Sequence, residues 1–94
     1  MLSQLPVNLS QVKKKDLDCE ILRAGMIAEL DAINFYEQMA ALTENVNIRK
    51  VILDIAKEEK THMGEFQTLL LKVDEEQKKE LKEGEKEVEE LLEK

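Results

Sequence analysis

The residues of this chain best suited to chemistry lie in the stretch KEEKTHMGEF, Lys57 to Phe66. This stretch contains the only histidine of the chain, His62, three residues after Glu59 in a strongly helical run. A Glu-x-x-His step turns about 300° around a helix, so both side chains project from one face within a turn. The imidazole can then bind one metal ion while the carboxylate bridges two. One glutamate and one histidine are too few ligands, so the others must come from elsewhere in the fold.

Helical spacing of the apolar residues predicts that the chain forms a single all-α domain. We expect an antiparallel hairpin of the first two helices, because the loop between them is short, followed by a C-terminal helix. Two such hairpins would dimerise into a four-helix bundle. The predicted ranges are 1–94 for the domain, 1–15 for a flexible start, 16–43 for helix one, 47–73 for helix two and 75–93 for helix three.

Polar residues mark where the predicted helices begin. Asp16 is the candidate N-cap of the first helix and Asn47 that of the second. Asp74 is followed three residues later by Gln77, which resembles a capping box at the start of the third helix. The third helix has few apolar residues and contains Gly84. It is therefore either an arm that docks on a neighbouring subunit or a flexible tail.

The first two helices carry polar residues in the middle of apolar faces. Glu29, Glu59 and His62 occupy positions where Leu or Ile would be expected, and polar groups there are costly unless something compensates them. Other apolar residues, such as Ile27 and Leu30, lie away from these faces. One hairpin cannot cover all of them, so we expect a homo-oligomer that is at least a dimer. The two faces run through Cys19, Leu22, Met26, Glu29, Ile33, Tyr36 and Ala40 on helix one, and through Ile48, Ile52, Ile55, Glu59, His62, Phe66, Leu69 and Val73 on helix two.

These three polar residues supply half of a known metal-binding set. Carboxylate-bridged iron sites in four-helix bundles use one Glu from each of two helices and Glu-x-x-His from each of the other two. Two hairpins related by a two-fold axis would supply the whole set, and its carboxylates would balance the charge of two Fe²⁺ ions. Our hypothesis is that Glu59 bridges the two irons, while His62 and Glu29 each hold one. Tyr36 lies two turns along from Glu29, about 10 Å away along the axis, and its phenol can hydrogen-bond to a carboxylate of the site.

Composition and charge narrow the classes of function. A net charge of -7 argues against nucleic acid, because a phosphate binder needs a concentrated basic face. No apolar run approaches the roughly 20 residues that span a membrane, and no signal peptide is visible. The single Cys19 excludes an intramolecular disulfide and suits a reducing compartment. We therefore expect a cytoplasmic protein with neither a nucleic-acid nor a membrane partner.

Two segments, AELDAINFYEQMA and AKEEKTHMGEF, resemble the encapsulated ferritins. These are small ferritin-like proteins housed in, or fused to, encapsulin shells, and the similarity covers roughly Leu17 to Leu81. The resemblance implies a di-iron ferroxidase centre between two chains, with Glu29, Glu59 and His62 of each chain as ligands and Tyr36 beside them. It further implies that two chains dimerise into a ferritin-like four-helix bundle and that the dimers assemble into a ring-shaped decamer. It also implies oxidation of Fe²⁺ to Fe³⁺ by O₂, for iron storage or detoxification inside an encapsulin nanocompartment in the cytoplasm.

The sequence departs from that family in two respects, and two other functions stay open. Some members carry two acidic residues near the equivalent of Glu29 that form an outer metal site. Asp31 matches one of them, but Ala28 stands at the other, and no encapsulin-targeting peptide follows the third helix. One alternative is another ferritin-like di-metal protein, such as a rubrerythrin-like peroxidase or a manganese protein. The other is a metal-free helical oligomerisation or adaptor module.

Overall fold

A computed structural model of the chain describes residues 9–11 and 13–93 and confirms the all-α fold. No strand occurs in these residues. Two 3-10 turns precede the helices, and the predicted flexible start over 1–15 lies partly outside the described residues. The helices are α1 (Leu17–Leu42), α2 (Val46–Val73) and α3 (Glu75–Leu92), and the turns are Leu9–Gln11 and Lys14–Asp16.

The second helix begins one residue before the predicted range, because a different asparagine caps it. The side chain of Asn45 accepts a hydrogen bond from the backbone N–H of Ile48 at 3.0 Å. Asn45 has the extended backbone that an N-cap requires (φ -81°, ψ 116°). Asn47 lies inside the first turn of α2 instead, so the prediction that it caps this helix is wrong.

The caps of the other two helices differ from each other. Asp74 caps α3 as predicted, since its Oδ1 accepts a hydrogen bond from the backbone N–H of Gln77 at 2.9 Å. The same carboxylate pairs with Arg23 of α1 at 3.4 Å, which ties the start of α3 to the hairpin. Asp16 occupies the cap position of α1, but its side chain makes no capping hydrogen bond.

One arginine closes the hairpin loop. Arg49, in the first turn of α2, donates from Nε to the carbonyl of Ala40 at 3.2 Å and from its terminal nitrogen to the carbonyl of Thr43. These carbonyls lie at the end of α1, where helix carbonyls lack partners within the helix. Arg49 therefore satisfies the end of one helix from the start of the next and holds the hairpin closed.

The interior of the hairpin is small. Only four apolar residues are buried in the described chain: Ile33, Ala40, Ala56 and Leu70. Ile33 and Ala40 belong to the face predicted for helix one.

The face predicted for helix two differs from the one that packs against α1. Ala56 and Leu70 lie outside that face and are each only 2% exposed, while the predicted Leu69 and Val73 are about half exposed. Helix two carries apolar residues on two neighbouring stripes, and α1 covers one of them. Spacing alone cannot tell which stripe faces α1.

The third helix leaves the hairpin. The described chain measures 46 × 45 × 19 Å, with a radius of gyration of 16.7 Å, against about 12 Å for a compact domain of this length. The hairpin helices pack along their length, whereas α3 contacts mainly α2 near their junction. No helix in the described part of the chain is long and apolar enough to cross a membrane.

Candidate metal centre

The hairpin brings three of the predicted site residues together. Glu29 of α1 faces Glu59 and His62 of α2, and one ligand atom from each lies within 4.8 Å of the others. His62 Nδ1 is 3.7 Å from Oε2 of Glu29 and 3.5 Å from Oε2 of Glu59. Glu59 and His62 project together because they are three residues apart on one helix, and the antiparallel packing supplies Glu29 opposite them.

The cluster is partly withdrawn from water. The side chains of Glu29 and Glu59 are 18% and 20% exposed, while His62 is 47% exposed. Oε2 of Glu29 is buried and has no hydrogen-bond partner, because His62 at 3.7 Å is too distant for one. Within the described chain it is the only buried side-chain oxygen or nitrogen left in this way. A buried carboxylate oxygen without a partner costs free energy in the metal-free protein.

The two carboxyl groups compete for ionisation. The pKa of Glu29 is raised above its ordinary value, first because a protonated Glu29 can share a hydrogen bond with Glu59, and also because of burial and the negative charge of Glu59. His62 opposes this rise. Two carboxylates at one site favour retaining a proton on one of them unless a cation is present.

The donor set fits a divalent metal ion such as iron. Carboxylate oxygens and an imidazole nitrogen are the ligands used by non-haem iron centres. A cation between these atoms would give the unpartnered Oε2 of Glu29 a partner and would neutralise the carboxyl pair. One chain offers only three ligand residues, so the coordination of a bound ion would stay open on one side.

Tyr36 and Asp31 are not part of this cluster. Tyr36 is half-buried on α1, and its ring packs edge-on against Phe35, with the ring centroids 5.3 Å apart. Among the described residues its phenol makes no hydrogen bond to the cluster, so its role stays a prediction from helical spacing. Asp31 is half-buried two residues after Glu29, and its role as an outer metal ligand is likewise a prediction.

The structure shows one contact beside the cluster that spacing did not indicate. The ring of Phe66 packs on Gly25, where a methyl group would lie 2.7 Å from the ring carbon Cε1. Phe66 also lines a surface groove together with Glu29, His62, Glu65 and Leu69. The signal in the sequence was a glycine within a helix, but its partner depends on the relative rotation of the two helices.

The fold and the cluster are those of a ferritin-like helical protein: an antiparallel helix pair with two carboxylates and an imidazole midway along it. The family model described as Rubrerythrin matches residues 20–94. The chain therefore belongs to the rubrerythrin family of ferritin-like proteins. This membership fits a protein that handles iron.

Individual relatives confirm the resemblance to encapsulated ferritins. The chain is 55% identical over 93 residues to a ferritin-like-encapsulin shell fusion protein of Pyrococcus furiosus. It is 34% identical over 78 residues to the encapsulin nanocompartment cargo protein EncC of Myxococcus xanthus. The crystal structure of the encapsulated ferritin domain from Pyrococcus furiosus matches with a TM-score of 0.83 and 54% identity, and the match covers 97% of this chain and 95% of that one.

The two sequence relatives are longer than this chain. The matches cover 97% and 80% of the chain, but only 27% of the Pyrococcus furiosus protein and 60% of the Myxococcus xanthus protein. The chain thus spans about a quarter of the length of the first relative and less than two thirds of the second.

Proposed function

We propose that two copies of this chain form a ferroxidase, which oxidises Fe²⁺ to Fe³⁺ with O₂ at a di-iron site between them. The observation that carries this proposal is the cluster of Glu29, Glu59 and His62, with a buried carboxylate oxygen that lacks a partner. A metal-free protein gains nothing from this arrangement. A site that binds Fe²⁺ explains both the carboxylates and the histidine.

In this proposal iron is the substrate and the chain supplies its ligands. Glu29, Glu59 and His62 from each of two copies hold the two Fe²⁺ ions, and the carboxylates neutralise their charge. Each Fe²⁺ gives up one electron. The two electrons from one site, with two protons, would reduce O₂ to hydrogen peroxide, whereas four electrons and four protons, from four Fe²⁺ ions, would reduce it to two water molecules. The carboxylates also favour the Fe³⁺ product, because an ion of higher charge is attracted more strongly to negatively charged oxygen ligands.

A second copy is supported by the apolar surface of the single chain. Leu69 and Val73 are about half exposed on α2, and Ile27 and Leu30 are 39% and 48% exposed on α1. Isolated exposed apolar residues are common, but an accumulation on one small chain marks an interaction surface. The ligand set is also completed only by a second copy, since one chain carries half of it.

The names of the relatives suggest the setting of this activity. One relative is fused to an encapsulin shell protein, and another is a cargo of an encapsulin nanocompartment. We therefore place the dimer, and a ring-shaped decamer built from it, inside an encapsulin shell in the cytoplasm. There it would deliver Fe³⁺ for storage and remove reactive Fe²⁺.

Iron oxidation by purified variants tests the activity. The parent should consume O₂ when Fe²⁺ is added, whereas Glu59→Ala and His62→Ala should oxidise iron at the rate of the buffer alone. Glu58→Ala is the matched control, because Glu58 is the adjacent exposed glutamate and lies outside the cluster. Circular dichroism verifies that each variant is helical. Equal rates for the parent and for both cluster variants would overturn the proposal.

A rubrerythrin-like peroxidase is the second candidate, and the family match favours it. In that case hydrogen peroxide would oxidise bound Fe²⁺ faster than O₂ does. Comparing the two oxidants at equal concentration decides between the candidates. A manganese protein would instead retain Mn²⁺ in preference to Fe²⁺ when both are supplied.

A further inference from the structure

The contact between Gly25 and Phe66 lies one helical turn from the candidate metal ligands. Gly25 precedes Glu29 by four residues on α1, and Phe66 follows His62 by four residues on α2. The two helices are antiparallel, so Gly25 faces Phe66 on one level of the hairpin and Glu29 faces His62 on the next. The notch at Gly25, in which the Phe66 ring sits, and the Glu29–His62 pair therefore lie on adjacent levels between the same two helices.

The notch leaves no room for a side chain at position 25. A Cβ built on Gly25 would lie 2.7, 2.8 and 2.9 Å from three atoms of the Phe66 ring. The other two glycines, Gly64 and Gly84, have open space at the same position. Of the three glycines, only Gly25 has an aromatic ring seated against its backbone.

We propose that Phe66, seated on Gly25, is a positioning residue that sets the distance and orientation of Glu29 and His62. This inference rests on the proposed function, since it concerns the use of that ligand pair. A seated ring fixes how closely α1 and α2 approach one turn from the ligands, and it lines the groove beside His62. Ligand groups held by such packing keep the geometry that a metal ion requires.

Filling the notch has two physical outcomes, and each disturbs the ligands. With Gly25→Ala, either the helices move apart to keep the ring in place, or the ring swings out into the groove. The first outcome increases the separation of Glu29 from His62. The second places the ring against the groove that Glu29, His62, Glu65 and Leu69 line.

The test uses binding of Fe²⁺ without oxygen, measured by calorimetry on the full chain, so that no turnover is involved. Gly25→Ala should weaken Fe²⁺ binding by about tenfold or more, the size of effect typical when groups that orient metal ligands are changed. Gly84→Ala is the matched control: it makes the same change in an open position, and its affinity should equal that of the parent. The double variant Gly25→Ala/Phe66→Leu, with a smaller side chain over the notch, should recover most of the lost affinity.

A second readout needs no metal. His62 is the only histidine, so its imidazole gives a single set of proton NMR signals. These signals should shift in metal-free Gly25→Ala and stay in place in Gly84→Ala. If Gly25→Ala does not fold, Phe66→Leu alone applies the same test, since an unfilled notch should also shift the imidazole signals and weaken Fe²⁺ binding.

The outcomes separate this inference from the proposed function. Parent protein that binds no Fe²⁺ would overturn both. Parent that binds Fe²⁺, together with Gly25→Ala that binds it equally well and leaves the His62 signals unchanged, would overturn the positioning role alone. Loss of affinity in Gly25→Ala without recovery in the double variant would also overturn it, because the ring would then not be the cause.

Discussion

Replacing Glu29 with glutamine should change the stability of the metal-free and the metal-loaded protein in opposite directions. Glutamine has nearly the same shape as glutamate but carries no charge and can donate hydrogen bonds. In the metal-free chain it removes a negative charge beside Glu59, and an amide N–H at the position of the unpartnered Oε2 can donate a hydrogen bond to the Glu59 carboxylate. In the loaded protein it removes a ligand.

The size of the metal-free effect follows from one hydrogen bond and one relieved repulsion. A net gain of about 0.5–1.5 kcal/mol is typical of one hydrogen bond. For a domain of this size the melting temperature rises by about 4–8 °C for each kcal/mol. Metal-free Glu29→Gln should therefore melt a few degrees above the parent.

The metal-loaded effect is larger and of opposite sign. A ligand present at about 100 times its dissociation constant stabilises the native state by about 2.7 kcal/mol. If Glu29→Gln weakens binding about 100-fold, the stabilisation at the same metal concentration falls to about 0.4 kcal/mol. Most of the metal-induced rise in melting temperature should disappear.

The pH dependence of the metal-free protein provides an internal check. Folding raises the pKa of Glu29 above its ordinary value of 4.5, so the folded chain holds this proton more tightly than the unfolded chain does. The contribution to stability is present below pH 4.5 and is lost as the pH rises through the raised pKa of the folded state. Glu29→Gln removes this loss, so its advantage over the parent should grow as the pH rises through that window.

The assay is thermal unfolding followed by circular dichroism, with a chelator and then with Fe²⁺ in the absence of oxygen. Glu58→Gln is the control, since it makes the same chemical change on an exposed glutamate of α2. A metal-free Glu29→Gln protein that melts below the parent and still shows the full metal-induced rise would contradict the proposed role of Glu29 as a metal ligand.

Three further predictions concern the frame of the site and its metal. Arg49→Lys keeps the charge but loses the forked guanidinium, whose two nitrogens each donate to a different carbonyl at the end of α1. It should lower the free energy of unfolding by about 1 kcal/mol, measured by urea denaturation. Asp74→Ala removes a cap and the ion pair with Arg23, so it should cost about 1 kcal/mol and speed hydrogen exchange in the first turn of α3, whereas Asp74→Asn should keep the cap. Fe²⁺ binding should weaken as the pH falls, because protons compete with the metal for the two carboxylates and the imidazole; an affinity that does not change with pH would contradict a site made of these ligands.

Local sequence signals predicted the helices and the candidate ligands. The cap at Asp74 and the Glu59-x-x-His62 step depend only on residues within a turn of each other, so the sequence contains all the information they need. Glu29 was predicted because a polar residue on an apolar face requires compensation, and the structure places it opposite that step.

Features that depend on how two helices face each other were not predictable in the same way. Asn45 and Asn47 are both good capping residues, and the path of the loop decides between them. The stripe of α2 that packs against α1 depends on helix rotation, so spacing did not indicate that Leu70 lies on this stripe and Leu69 on the neighbouring one. The seat of Phe66 on Gly25 is a long-range contact of the same kind.

Size-exclusion chromatography with light scattering, followed by iron analysis of the eluted protein, tests directly whether two copies of the chain share a metal site. It gives the mass of the assembly and the iron that this assembly retains. With Fe²⁺ we predict an assembly of at least two chains that retains two iron ions per pair of chains. His62→Ala should fail to retain iron. A single chain whose mass and melting temperature are unchanged by Fe²⁺, and which retains no iron, would contradict a metal site shared between two copies.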